Sequence, residues 1–170
     1  MQESRHTTAL WVYGTQGYGK SHILAAFVCY LAAREKERVI YIPDCREFLG
    51  NIIEYFQAAM LFAWADDTSA QREIITLDTR EKIYRFLKSY EAAIFVIDQM
   101  NAFTESEKEI STWLTNCWKL GKAAVLSSSA NYQEYKKRSV VQTSEKTLYT
   151  YGGLSAVSLS KECFYSGDSF

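Results

Sequence analysis

Residues 14–21 have the sequence GTQGYGKS and match the pattern G-x-x-x-x-G-K-[ST] at every fixed position. The apolar run 9–13 before them predicts a buried strand, and a helical pattern begins at Lys20. In a strand–loop–helix context this pattern is typical of a phosphate-binding loop. Glycine lets successive backbone N–H groups turn toward one anion, and the helix N-terminus adds partial positive charge. The motif therefore predicts a fold with a phosphate site at the end of a strand.

The residue types in the loop also predict what each position binds. Lys20 is expected to reach the β- and γ-phosphates, and the hydroxyl of Ser21 to complete the coordination of Mg²⁺. The alternative, a glycine-rich turn that contains a lysine by chance, is made rarer by the flanking strand and helix. We therefore predict that a nucleotide is bound by Gly14, Thr15, Gln16, Gly17, Tyr18, Gly19, Lys20, Ser21 and His22.

The composition of the whole chain is that of one globular domain. Of its 170 residues, 48% are apolar and 23% charged, which is enough for a substantial core. The net charge of −1 does not indicate nucleic acid or a membrane surface as a partner. No apolar run is long enough to cross a bilayer, and the polar stretch 1–8 has no signal-peptide core behind it. We expect a single domain over 1–170, intracellular and cytoplasmic by default.

Cysteine and histidine usage argues against a zinc site. The four cysteines are far apart and form no C-x-x-C pair, and the two histidines are not spaced as metal ligands. Cys29 and Cys117 fall on the apolar faces of predicted helices, so both are expected to be buried thiols.

Strands alternate with helices along the chain, so the predicted fold class is α/β, with a parallel sheet and helices on both faces. Capping-box spacing predicts helices from Asp44 to Trp64, from Asp78 and from Thr104. Residues 66–77 are expected to be irregular. Ligands bind such sheets beyond the carboxyl ends of the strands. The five predicted strands cover residues 9–13, 39–42, 92–97, 123–126 and 147–151.

The strand predicted at 92–97 ends at Asp98, which is the Walker B arrangement. A carboxylate at this position holds Mg²⁺ through water, so Asp98 and Ser21 are the candidate metal ligands. Gln99 follows, where many related ATPases carry Glu or Asp to activate the attacking water. Glutamine cannot accept that proton as a carboxylate would, although it can orient water. Gln99 therefore predicts slow hydrolysis.

A serine run, 127–129, ends the fourth predicted strand, with Asn131 just beyond it. In P-loop ATPases of the additional-strand class a polar residue here contacts the γ-phosphate or the attacking water. The alternative is a set of serines that cap a strand end or a helix start, and the two interpretations are evenly balanced. The basic cluster 136–138 favours a solvated helix face over an arginine finger or a nucleic-acid contact. The candidate catalytic residues are Lys20, Asp98, Gln99, Ser128 and Asn131.

The order of these motifs resembles the AAA+/STAND branch of P-loop NTPases, and the strand count favours that branch over the kinase–GTPase branch. Three stretches, 11–21 (WVYGTQGYGKS), 39–46 (VIYIPDCR) and 95–101 (FVIDQMN), are more narrowly similar to the NTPase module of crinkler-type proteins of fungi and oomycetes. Related NTPases occur in retrotransposon hot spot proteins of trypanosomes. The resemblance covers about residues 9–155 and implies a three-layer fold that binds ATP, or another NTP, with Mg²⁺.

The same resemblance carries expectations about architecture and location. In that family the NTPase module commonly lies between a ubiquitin-like header and a nuclease-like or kinase-like region. Residues 156–170 are too few for the helical lid that normally follows the core, so we expect a core at 9–155 without a lid domain. A crinkler-type effector would be secreted and act inside a host cell. Finger arginines in this branch often come from a neighbouring subunit, which leaves a homo-oligomer or a partner protein open.

Three functions from different classes compete at this point. The first is an NTPase module that hydrolyses ATP slowly to ADP and phosphate, or switches conformation or association with nucleotide. The second is a non-catalytic module that binds nucleotide for stability or interaction. The third, a small-molecule kinase, is less favoured because no arginine-rich lid is visible and Arg138 is isolated. A guanine-selective N/T-K-x-D motif is absent, which favours adenine.

Overall fold

The computed structural model describes residues 8–14, 17, 19–34, 37–90, 92–129 and 146–150. Two short 3₁₀ turns at Met100–Ala102 and Glu105–Glu107 precede the last helix among these residues. The strands are β1 (Thr8–Gly14), β2 (Val39–Ile42), β3 (Ile94–Ile97), β4 (Ala123–Ser129) and β5 (Lys146–Thr150). The helices are α1 (Lys20–Ala33), α2 (Cys45–Gly50), α3 (Ile52–Ala63), α4 (Thr68–Ile74), α5 (Arg80–Ser89) and α6 (Lys108–Trp118).

The described strands form one parallel sheet in the order β2-β3-β4-β1-β5. β1 pairs with β4 on one side and β5 on the other, and β3 pairs with both β2 and β4. β4 is therefore inserted between β1 and β3, so the carboxyl ends of these three strands meet at one edge of the sheet. The predicted α/β class with a five-stranded parallel sheet is confirmed.

Helices cover both faces of the sheet, as predicted, but very unequally. α1 covers one face, with Leu24, Val28 and Leu31 packed against valines of four strands. The helices α2 to α6 enclose a much larger core on the opposite face. Each fully buried large side chain there contributes about 1.5–3 kcal/mol to folding. The bulkiest residues of this larger core include Phe48, Phe56, Met60, Trp64 and Phe86.

Two helix predictions between β2 and β3 were wrong. The single helix predicted from Asp44 to Trp64 is two helices, because the side chain of Asn51 accepts a hydrogen bond from Glu54 N and begins a new helix. The stretch 66–77, predicted to be irregular, contains α4. Asp67 caps α4 by accepting a hydrogen bond from Ala70 N at 2.9 Å. A helix of this length is stabilised by its cap and by tertiary burial rather than by a long apolar pattern.

The remaining differences between the predicted and the observed structure are smaller. The cap of α5 is Thr79 rather than Asp78, whereas the capping box of Thr104 and Glu107 is present. β4 runs three residues beyond the predicted end, through Ser129. Cys117 is buried as expected, but Cys29 is exposed, because α1 turns Leu24, Val28 and Leu31 rather than Cys29 toward the strands. No helix within the described ranges has the length and apolar character needed to span a bilayer.

Candidate nucleotide site

A polar cleft of about 550 Å³ lies beyond the carboxyl ends of β1, β3 and β4. This volume is in the range of small-molecule sites, and the position is where parallel α/β sheets bind ligands. The residues that line it come from the phosphate loop, the start of α1, the start of α2 and the segments after β3 and in β4. They are Gly17, Gly19, Lys20, Ser21, His22, Arg46, Asp98, Gln99, Asn101 and Ser129.

The glycines of the loop have conformations that explain their positions. Gly17 and Gly19 have φ of 87° and 77°, in the left-handed region that favours glycine. α1 begins directly after Gly19, whose carbonyl accepts the Ile23 N–H at 3.0 Å. Gly19 has no side chain that could cap this end of α1, and the N-terminus of a helix is a favourable position for an anion.

Gly14 is required for a different reason, the close approach of β5. A Cβ atom at this position would lie 1.9 Å from Thr150 Oγ1 and 2.6 Å from the Thr150 carbonyl oxygen. The same Thr150 hydroxyl donates a hydrogen bond to the Tyr13 carbonyl at 3.0 Å. Gly14 therefore lets the loop leave β1 while β5 stays in register beside it.

Lys20 lies at the base of the cleft, where it is buried to 8% exposure. Its Nζ donates a hydrogen bond to the Gly14 carbonyl at 2.7 Å, so the side chain folds back along the loop. Burial lowers the pKa of Lys20, and the negative charge of Asp98 opposes that shift. An anion in the cleft would favour the charged form of Lys20 further.

Asp98 is the buried carboxylate of the site, at 1% exposure. Its Oδ1 accepts hydrogen bonds from the Gln99 N–H at 2.8 Å and from the Ser127 hydroxyl at 2.5 Å. Its Oδ2 is buried and has no hydrogen-bond partner among the residues that the structure describes. Because a buried acceptor without a partner is costly, the geometry fits a ligand that would satisfy Oδ2.

The donor set of the cleft fits Mg²⁺. Carboxylate and hydroxyl oxygens of Asp98 and Ser21 are the ligand type that Mg²⁺ prefers, with the remaining positions taken by water and phosphate. No group of three or more His, Cys, Asp or Glu residues that could hold a metal occurs in the described part of the chain. The residues thus fit a cation that depends on phosphate for part of its coordination, and they do not form an all-protein metal cage.

The segment after Asp98 adds two amide side chains to the cleft. Gln99 has φ of 60°, a left-handed conformation that costs about 1–2 kcal/mol for a residue with a Cβ. The Oδ1 of Asn101 accepts the Ser129 N–H at 3.1 Å and so ties this segment to the end of β4. The strained backbone turns the chain sharply at the point where Gln99 and Asn101 line the cleft.

The serine run of β4 divides between the two faces of the sheet. Ser127 contacts Asp98 and Ser129 lines the cleft, whereas Ser128 is buried at 3% exposure and is not part of the lining. Ser128 shares strand parity with Ala124 and Leu126, which belong to the larger core. The period of two in a strand groups Ser127 with Ser129 and apart from Ser128, but it does not show which group faces the cleft.

The structure brings together most of the residues predicted from the sequence. Those outside the described residues are Thr15, Gln16, Tyr18, Asn131 and the cluster 136–138. Sequence reasoning missed Arg46, Asn101, Ser127 and Ser129. Asn101 and Arg46 follow strand ends, so strand-end position was the available signal.

No protein-family model and no curated protein matches this chain. Among solved structures it is similar to a DNA replication initiation factor, with a TM-score of 0.50 and 18% identity over 84% of this chain. It is also similar to a KaiC-like protein from Pyrococcus horikoshii (TM-score 0.44, 19% identity, 75% of this chain) and to PCH-2 of C. elegans (0.43, 12%, 85%).

The likeness to the replication initiation factor concerns the fold alone. The chain spans 40% of the length of that protein, 65% of the KaiC-like protein and 35% of PCH-2. Together with the sheet order and the G-x-x-x-x-G-K-[ST] motif, the likeness supports a P-loop NTPase fold.

Proposed function

We propose that this chain is a Mg²⁺-dependent nucleotide-binding module that takes ATP and hydrolyses it slowly, or switches conformation or association with nucleotide. One observation carries the proposal. The phosphate-loop residues Gly17, Gly19, Lys20 and Ser21 line the same cleft as the buried Asp98, although they are far apart in sequence, and Oδ2 of Asp98 has no hydrogen-bond partner in the described part of the chain. A glycine-rich turn without a phosphate ligand would not require a buried carboxylate opposite it.

Each group has a defined task in this proposal. The loop N–H groups and the N-terminus of α1 bind the phosphates, and Lys20 exchanges the Gly14 carbonyl for a phosphate oxygen. Asp98 and Ser21 would hold Mg²⁺, which neutralises charge on the phosphates when it is bound. Ser127 and the Gln99 N–H hold Oδ1 of Asp98 and leave Oδ2 for the coordination shell.

Hydrolysis is proposed to be slow because of the residue after Asp98. Gln99 cannot take a proton from the attacking water as a carboxylate would, but its amide can orient the water. Asn101 and Ser129 line the cleft beside it. Asn131 remains a candidate for contact with the γ-phosphate, whereas Ser128 does not, because it is buried outside the lining of the cleft. A Gln99→Ala variant with unchanged turnover would count against any role of Gln99 in positioning water.

Thermal melting with and without MgATP tests nucleotide binding directly. At about one hundred times the Kd, a ligand adds about 2.7 kcal/mol to the free energy of unfolding, which raises Tm by several degrees. The shift is expected in the wild type and in Lys88→Ala, which removes an exposed lysine of α5, but not in Lys20→Ala. A folded wild type without a shift would overturn the proposal.

A non-catalytic nucleotide-binding module is the second candidate, and the same Gln99 favours it. It predicts the thermal shift without release of phosphate. A phosphate-release assay with MgATP separates the two functions, since release that is lost in Lys20→Ala excludes the non-catalytic module. Phosphate that appears on an added metabolite instead would favour the small-molecule kinase of the sequence analysis.

The proposal also includes two more specific roles, which rest on the sequence resemblance. They comprise a place in a crinkler-type effector and association with a second copy or a partner protein. Light scattering of the chain with MgATP, with MgADP and without nucleotide tests nucleotide-dependent self-association. A mass that is the same in all three states would contradict an association switch and leave a conformational switch.

A further inference from the structure

Arg46 reaches the nucleotide cleft from the side opposite the phosphate loop. It is the second residue of α2, which follows β2, and two strands, β3 and β4, separate β2 from β1 in the sheet. The side chain lines the cleft together with Asp98, Gln99 and Asn101. Among the described lining residues, the basic side chains are therefore Lys20 and His22 on the loop side and Arg46 on the far side.

The guanidinium of Arg46 is held in a defined orientation by Asp44. Its Nε donates to Oδ1 and Oδ2 of that carboxylate at 3.0 and 3.2 Å, and its Nη2 donates to Oδ2 at 2.6 Å. Asp44 is itself fixed, because its Oδ1 also accepts the Arg46 N–H at 2.8 Å as the cap of α2. Paired contacts of this kind restrict a guanidinium more than a single ion pair does.

One edge of the guanidinium is left for a ligand. The hydrogen bonds to Asp44 use Nε and Nη2, and Nη1 makes none with any part of the chain that the structure describes. Arginine presents five N–H donors in a planar fork that matches phosphate oxygens. Asp44 thus fixes one edge of Arg46 and leaves donors of the other edge available.

The position of Arg46 relative to Asp98 indicates which phosphate it would meet. The loop binds the phosphate chain from the β1 side, and Asp98 lies between the loop and Arg46 in the order of the strands. The carboxylate of Asp44 raises the pKa of Arg46, with smaller contributions from Glu47 and Asp98, so Arg46 stays positively charged in the cleft. A phosphate chain that starts at the loop and runs toward Asp98 would bring its terminal phosphate nearest to Arg46.

We propose that Arg46 binds the terminal phosphate of a nucleoside triphosphate, with Asp44 as its positioning residue, and that this contact distinguishes triphosphate from diphosphate. The inference rests on the proposed function, since it assigns a specificity residue within the same site. An exposed Arg–Asp pair with only a structural role would contribute little to stability and nothing to this selectivity.

Titration calorimetry with MgATP and with MgADP on wild type and variants tests the assignment. Arg46→Ala is expected to weaken MgATP binding by about tenfold to a hundredfold, the usual range for a charge-assisted hydrogen bond, and to leave MgADP binding within about twofold. Arg46→Lys should retain only part of the wild-type affinity for MgATP, because an ammonium lacks the planar set of donors that a guanidinium has. Asp44→Asn keeps the cap of α2 and should show a smaller loss that again affects MgATP alone.

Arg85→Ala is the matched control, since Arg85 makes a comparable exposed pair with Glu81 on α5 away from the cleft. It should leave the ratio of the two affinities unchanged. If Arg46→Ala also leaves this ratio unchanged while the wild type binds both nucleotides, the assignment fails and the proposed function stands. If the folded wild type binds neither nucleotide, the proposed function fails and the assignment with it.

Discussion

The two sides of the candidate nucleotide cleft are built in different ways. The loop side consists of Gly17, Gly19 and the first three residues of α1, Lys20, Ser21 and His22. The far side consists of side chains from separate segments, namely Arg46 after β2, Asp98 to Asn101 after β3 and Ser129 in β4. The first can be recognised from a short motif, whereas the second exists only when the sheet places three strand ends side by side.

Both sides include local features that do not favour folding. The loop side needs left-handed backbone at Gly17 and Gly19 and close contact of Gly14 with β5. The far side carries left-handed backbone at Gln99 and a buried carboxylate oxygen of Asp98 that finds no hydrogen-bond partner in the described ranges. Strained backbone and unsatisfied buried groups concentrate at functional sites, where the stability of the surrounding core offsets their cost in free energy. We therefore expect substitutions on the loop side to weaken folding and nucleotide binding together. Substitutions on the far side are expected to weaken binding or turnover without lowering stability.

The largest effect is expected for Gly14→Ala, on the loop side. The hydroxyl of Thr150 can rotate away from a new Cβ, but the Thr150 carbonyl at 2.6 Å cannot, so β1 and β5 must move apart. We expect the free energy of unfolding to fall by about 3 kcal/mol in urea denaturation, with loss of the MgATP thermal shift. Gly50→Ala, where nothing lies within 4 Å of the added Cβ, is the control and should be neutral or slightly stabilising. A Gly14→Ala protein of wild-type stability would contradict the close contact.

Asp98→Asn, on the far side, should weaken Mg²⁺-dependent ATP binding without lowering the stability of the fold. The amide keeps an acceptor for the Ser127 hydroxyl and removes a buried charge, so we expect the free energy of unfolding not to decrease. The Mg²⁺ dependence of ATP binding should disappear, with a loss of about 2 kcal/mol in the presence of Mg²⁺. Calorimetry with and without Mg²⁺ measures this loss. An undiminished Mg²⁺ dependence would remove Asp98 from the metal shell.

Gln99→Gly should stabilise the protein while lowering any turnover. Glycine adopts the observed φ of 60° without the cost that a Cβ imposes, so the free energy of unfolding should rise by about 1 kcal/mol. Gln99→Ala loses the same amide but keeps the strain, and it is the control for the backbone effect. Urea denaturation and phosphate release are the two measurements. Equal stability of the two variants would show that the backbone at 99 is not strained.

The smallest effect concerns the Asp44–Arg46 pair and depends on pH. The hydrogen bonds from Arg46 hold the pKa of the Asp44 carboxyl below its usual value of about 3.8. Because the folded-state pKa is depressed, the pair stabilises the fold above pH 3.8, and this contribution is lost as the pH falls through the folded-state pKa. Arg46→Ala should therefore be slightly less stable than wild type at neutral pH, and the difference should vanish in strong acid. Urea denaturation at several pH values measures it, and a difference independent of pH would exclude the pair as its source.

Prediction from the sequence succeeded where one local pattern determines the structure. The loop, the strand before Asp98 and the capping box at Thr104 each depend on neighbours within a few residues. It failed for two other reasons. α4 is a short helix that depends on the burial of Ala70 and Ile74 in the larger core, which the local sequence does not show. The break at Asn51 is a local cap, but it lies within a continuous apolar pattern that predicts one long helix.

The serines of β4 show the same limit within the site. The sequence placed a polar group near the γ-phosphate and favoured Ser128 or Asn131. The register of β4 against β1 and β3 turns Ser127 and Ser129, rather than Ser128, toward Asp98 and the cleft. A shift of one residue in a strand reverses the face of every side chain, and only the paired sheet fixes that register.

The sequence by itself determined the fold class, the phosphate loop and the carboxylate that faces it, because alternating apolar runs and a contiguous motif encode them locally. Only the tertiary structure decided that Arg46, Asn101 and Ser129 line the same cleft and that Asp98 keeps one oxygen unsatisfied. These residues are brought together by the insertion of β4 between β1 and β3. That order follows from the packing of the whole sheet, which no short stretch of sequence specifies.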